Sequence, residues 1–151
     1  MFGIEDSLIS TTGLIAGISI GSNNKKFILM AAVVSVIIEA VSMGVGEYLS
    51  DEAIQEIDKV KRHREKPFIS GGLLTMSYLI AGMVPIIPVV LFDFPLSLLV
   101  SVFFAFISLF LIGYIQGKII YTKPYRSGFK ILLVEGIATL LGLFVGIFFK
   151  I

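Results

Sequence analysis

In the run VSVIIEAVSMGVGEYLSDE, residues 33–51, Glu39, Met43 and Glu47 recur every fourth position within an otherwise apolar stretch. Steps of four stay on one face of a helix. Two carboxyl groups and a thioether therefore share a stripe, with Ser35 one turn earlier. Two more acids stand in apolar surroundings. Asp6 heads a stripe with Ser10, Gly13, Gly17 and Gly21, and Glu135 heads one with Thr139, Gly142 and Gly146. An acid at the centre of a membrane helix costs about 2.5–3.5 kcal/mol on insertion scales, so it normally faces protein or a wet cavity. Carboxylate oxygens are hard ligands for divalent cations, and an added thioether shifts preference toward ferrous iron or cobalt and, more weakly, manganese. Asp6, Glu39, Met43 and Glu135 are the candidate metal ligands, and Glu47 the candidate collector at the membrane boundary. Ser10, Gly13, Gly17, Ser35 and Thr139 are the candidate lining of a pathway.

Each of these residues also has a plainer reading. Met43 can fill a core, the glycine stripe can be a close helix-packing face, and Glu39 can be a protonated carboxyl bonded to a neighbouring helix. The functional reading carries a coupling mechanism. Buried neighbouring carboxyls favour the protonated form, and a dication binding the deprotonated form displaces those protons. A protein that alternates between two faces would then exchange metal for protons.

The elements that must position these groups follow from composition. The chain has 151 residues, of which 56% are apolar and 15% charged; a soluble domain is nearer a quarter charged. The apolar residues come in blocks near the roughly 17–25 residues that cross a bilayer. An all-α integral membrane protein of five helices is expected, as a single transmembrane domain over residues 1–151. The helices are predicted over about Asp6–Ile20, Phe27–Leu49, Phe68–Phe92, Leu96–Ile115 and Gly128–Phe149. The second helix continues into a helical loop over about 51–67 that Pro67 ends, Pro85 and Pro88 kink the third, and Asp93 with Pro95 caps the fourth. A net charge of +1 gives no case for nucleic acid; no cysteine and a single histidine, His63, exclude thiolate sites and a histidine-based triad. No enzyme chemistry is expected, and no cleavable signal peptide is evident in the first residues. The basic loops, with Lys59, Lys61, Arg62, Arg64 and Lys66 in one and Lys118, Lys123 and Arg126 in the other, share a side. That sets the N-terminus in the cytoplasm and the C-terminus outside, with anionic-lipid binding as the other use of the same charges.

Four stretches resemble the vacuolar iron transporter family: GIEDSLISTTGLIAGISIG, AVSMGVGEYLS, AGMVPIIPVVL and GFKILLVEGIATLLGLFVG. The resemblance covers nearly the whole chain. It implies a five-helix protomer that dimerises, with the ion path at the two-fold axis between first and second helices, and export of ferrous iron or manganese from the cytoplasm in exchange for protons. By position it implies that Asp6 and Met43 belong to that path and that Glu47 is the glutamate of the GEY motif. This chain lacks the long cytoplasmic metal-binding segment of plant-type members; about seventeen residues join the helices, with Glu52, Glu56 and Glu65 as possible remnants for collecting metal. Ser35 stands where the family has an acid, while Glu39 and Glu135 stand where many members have small residues.

The expected function is a homodimeric divalent-metal transporter, for ferrous iron or manganese as substrate and with no permanently bound cofactor. Protons are the counter-ion, and the dimer forms through the glycine face of the first helix. The expected location is the cell membrane of a prokaryote or a vacuole-like organelle of a eukaryote. A structural or regulatory membrane dimer that binds metal or lipid, and a passive cation channel, are the alternatives.

Overall fold

A computed structural model describes residues 2–22, 24–57, 66–121 and 123–149. They form α1 (Phe2–Gly21), α2 (Lys25–Ile57), α3 (Pro67–Leu91), α4 (Leu96–Ile119) and α5 (Pro124–Phe148). The five expected helices are present, with shifted ends. α1 starts four residues early, so Glu5 and Asp6 lie inside it. Pro124 opens α5 four residues before the expected Gly128, and Pro67 opens α3. Both prolines sit at the first helical position, where a missing N–H costs nothing and the fixed φ suits the helix. α2 continues without a break to Ile57, so the start of the connecting loop is helical, as the sequence predicts. Glu65 and His63 lie outside the described residues.

The cap expected from Asp93 does not form. α4 is entered from Pro95 with no side-chain cap bond. The Asp93 carboxylate instead accepts from Lys25 Nζ at 3.0 Å, tying the start of α2 to the α3–α4 connection.

α1 touches all four other helices, and α3 and α4 join α2 to α5 around it. The central place explains its composition. Among the described residues, α2 to α5 are long and apolar enough to cross a membrane, whereas α1 does not reach that apolarity. Its Ser7, Thr11, Thr12 and Ser19 are buried against protein, and of its large apolar residues only Phe2 is exposed. The outer helices carry the reverse pattern, with Ile38, Leu73, Ile80, Leu99, Phe103, Leu140 and Phe144 all turned outward. An apolar surface on this scale does not occur on soluble monomers; lipid covers it, and the chain is an integral membrane protein.

Two packing devices set the distances between helices. α1 and α5 run in parallel through glycines: Cβ atoms built on Gly13, Gly17 and Gly21 would meet the backbone at Ala138, Gly142 and Gly146, pairs that are each 125 residues apart. At Gly17 the contact would be 2.8 Å from the Gly142 carbonyl oxygen. This is the stripe the sequence reading gives to a second copy of the chain, and here α5 of the same chain meets it. The same glycines border an apolar groove of about 640 Å³ between α1, α5 and Phe27. On the other flank α3 carries Pro85 and Pro88 within the helix, and Ser101 Oγ of α4 donates to the Pro85 carbonyl at 2.7 Å.

Candidate metal site where α1, α2 and α3 meet

Four-residue periodicity buries Ile28, Ala32, Val36 and Ala40 of α2 against α3 and leaves the next stripe, Ser35, Glu39, Met43 and Glu47, half-buried at its edge. Glu39 is the centre of the site. Its Oε1 accepts from Ser35 Oγ one turn earlier at 2.5 Å, and its Oε2 accepts from Ser10 Oγ of α1 at 2.9 Å and from the Tyr78 hydroxyl of α3. Ser10 and Tyr78 are themselves 2.9 Å apart. Asp6 lies one turn along α1 from Ser10, near enough to Glu39 and Tyr78 to interact with both electrostatically. Three helices thus converge on two carboxyls and one phenol. Hydrogen bonds to charged acceptors are the strong ones, about 1.5–3 kcal/mol each, so this network fixes Glu39 firmly.

Met43 is half-buried one turn further along α2 and packs against the core that holds Tyr78, Val36 and Ala40. It continues the half-buried stripe of α2 that carries Glu39. Glu47, another turn on, accepts from Ser70 Oγ of α3 at 3.2 Å. Glu52 accepts from Tyr48 at 3.2 Å, and Glu56 is exposed. The row of acids therefore continues along α2 from the site to the end of the helix.

Glu135 is placed differently. The offset of 125 between α1 and α5 sets it level with Ser10, and hence with Glu39. It is nonetheless on the other flank of α1: α5 packs on α1 and α4 and makes no contact with α2. Its one side-chain bond among the described residues is from Thr139 Oγ1 at 3.1 Å, within α5. Among the described residues no group of three or more His, Cys, Asp or Glu side chains is close enough to hold a metal ion. One protomer therefore offers Asp6, Glu39 and Met43 together, and Glu135 apart. Gly13 and Gly17 line the α1–α5 contact and its groove rather than the site.

Tyr78 is the functional residue that the sequence reading missed. The signal is present: a tyrosine in the middle of an apolar span needs a partner for its hydroxyl. Tyr78 is fully buried. Ser7, also missed, donates to the Tyr78 carbonyl at 2.7 Å and fixes α3 against α1 at this height. Gly82 lets these helices close up, because a Cβ there would stand 2.8 Å from Val36 and 2.9 Å from Ser7 Oγ.

Comparison with known proteins bears on this arrangement. The sequence profile described as the VIT family matches residues 1–69 and again 51–147. The two matches overlap on the connection between α2 and α3. The chain is also 22% identical to "Vacuolar iron transporter 1" of Arabidopsis thaliana over 200 aligned positions, covering 92% of this chain and 80% of that protein.

Proposed function

Because the chain belongs to the VIT family and is a metal transporter of the membrane, we propose that its substrate is ferrous iron or manganese, moved out of the cytoplasm in exchange for protons. The observation that carries this reading is the bonding of Glu39 to Ser10 of α1 and Tyr78 of α3, with Asp6 one turn from Ser10 and Met43 packed against the core that holds Tyr78. Two carboxylates balance the charge of a dication, and a thioether beside them favours a transition metal over magnesium or calcium. The hydroxyls of Ser10, Ser35 and Tyr78 stand in for the cation when the site is empty, since they hold the same oxygens of Glu39. Among the described residues no lysine or arginine pairs with Asp6 or Glu39. With Glu39 kept charged by the hydroxyl donors, a proton on the neighbouring Asp6 is the counter-charge of the empty site, and metal entry releases it.

The half-buried edge of the site supports a role for a second copy. One protomer supplies two carboxyls and a thioether, short of the number that a dication takes from oxygen-rich sites. A two-fold pairing that sets the α1–α2 edges of two protomers against each other doubles that set. Glu47, Glu52 and Glu56 then lead metal along α2 toward the site from the cytoplasmic side, with the N-terminus also on that side.

The test is uptake of Fe²⁺ and Mn²⁺ into liposomes holding the purified chain, with internal pH followed in parallel. Metal-driven proton movement supports the exchanger. Metal flux that ignores an imposed pH gradient leaves a passive channel, and absence of flux leaves a scaffold. Glu39→Gln removes one charge and one acceptor from the site; it is expected to abolish flux while the protein still folds.

A further inference from the structure

We propose that Glu135 is a proton-binding site separate from the metal site, enclosed between α1, α4 and α5. This rests on the exchanger reading above and assigns the counter-ion a place of its own. Glu135 is completely shielded from solvent, at 0% exposure. One carboxyl oxygen accepts from Thr139, and the other, Oε2, is buried with no partner among the described residues. An ionised carboxylate with a bare oxygen in such surroundings is costly, and the cost falls away when a cation is bound.

The surroundings decide which cation. The apolar cluster that joins α5 to its neighbours includes Leu8, Ile9, Leu109 and Ile131, and α1 also buries the hydroxyls of Thr11 and Thr12. A dication would find one carboxylate and neutral hydroxyls there, short of the charge and the oxygen ligands it needs. A proton needs only the carboxyl. Among the described residues no other base on the three helices that enclose it stands at this depth. Every other titratable group on α1, α4 and α5, namely Glu5 and Asp6, Tyr114 and Lys118, and Tyr125, Arg126 and Lys130, lies toward the Asp6 end of the bundle. α2, with Glu39 and Met43, does not reach α5. The proton site and the metal site thus lie at one level on opposite flanks of α1, which packs against both. A movement of α1 that opens one changes the enclosure of the other.

The experiment compares wild type, Glu135→Gln and Glu39→Gln in liposomes, reading Mn²⁺ uptake, proton counterflow and Mn²⁺ binding together. Glu135→Gln is expected to keep Mn²⁺ binding and uptake and to move about one proton fewer per metal ion. Glu39→Gln is expected to lose Mn²⁺ binding and uptake. An unchanged proton count in Glu135→Gln, with wild type coupled, overturns this inference alone. Lost Mn²⁺ binding in Glu135→Gln also overturns it, because Glu135 then behaves as a ligand. A wild type that moves metal without protons overturns the exchanger reading and this inference with it. If the glutamine variant does not fold, Glu135→Asp keeps the acid but shortens its reach to Thr139. It is expected to retain coupling with a shifted pH dependence of uptake, and an unshifted dependence overturns the proposal.

Discussion

Replacing Tyr78 with phenylalanine separates the donor role of its hydroxyl from everything else the residue does. The ring stays buried with Val36, Ala40 and Met43, so packing is unchanged. What is lost is one donor to Glu39 Oε2, which keeps the Ser10 bond at 2.9 Å, while Oε1 keeps Ser35. Hydrogen bonds between neutral groups on membrane helices average about 0.6 kcal/mol. A charged acceptor raises that to about 1.5–3 kcal/mol, and the remaining donor on the same oxygen selects the lower end. Unfolding in detergent should therefore become easier by about 1.5 kcal/mol. The effect on metal has the opposite sign. If metal must displace Tyr78 from Glu39, the variant starts with that displacement already made, and about 1.5 kcal/mol is about tenfold tighter binding. The assay is a Mn²⁺ or Co²⁺ binding isotherm on the purified protein, alongside a thermal melt. Weaker metal binding in Tyr78→Phe would mean that the phenol stays on the metal as a ligand. No change in either measurement would refute the idea that this bond holds the empty site.

Other changes test the framework. Gly17→Ala puts a Cβ 2.8 Å from the Gly142 carbonyl, where only backbone can yield; it should destabilise the protein by about 1–3 kcal/mol, read as a lower melting temperature. Gly46→Ala meets nothing within 4 Å and should raise stability by about 0.5–1 kcal/mol in the same melt, because glycine inside a helix is entropically costly. Ser101→Ala removes the bond to the Pro85 carbonyl and should cost about 0.6–1.5 kcal/mol, without altering metal binding. Asp93→Asn breaks the Lys25 pair, but Asp93 is 89% exposed, so the loss should stay under about 1 kcal/mol and vanish at high salt.

Much of this protein is written in one dimension. Hydrocarbon must be spanned by helices that satisfy their own backbone groups, so apolar blocks of the right length fix α2 to α5 and their alternating directions without knowledge of any contact, and α1 is read from its shorter, more polar block. The same logic marks Glu39, Asp6 and Glu135 as groups that must face inward, because an acid in lipid is too costly. Helical rise puts them at a common depth. The ends of helices were less legible: Pro67, read as the end of the loop helix, is the first residue of α3, and Pro124 opens α5 four residues before the expected start.

Which inward-facing groups meet was a matter for the tertiary structure. Periodicity gives each stripe a face but not a neighbour, and the glycine stripe of α1 could serve a second copy or another helix of the same chain. Here α5 has matching glycines at the same offset and takes that face. That single packing choice puts Glu135 on the far flank of α1 from Glu39 and turns the other side of α1 toward α2 and α3. Tyr78 could not be linked to Glu39 from sequence, because the two are 39 residues apart and joined only by the approach of α2 and α3. Depth follows from the bilayer, a constraint that acts on each helix alone. Partnership follows from side-chain fit between helices, which no helix encodes by itself.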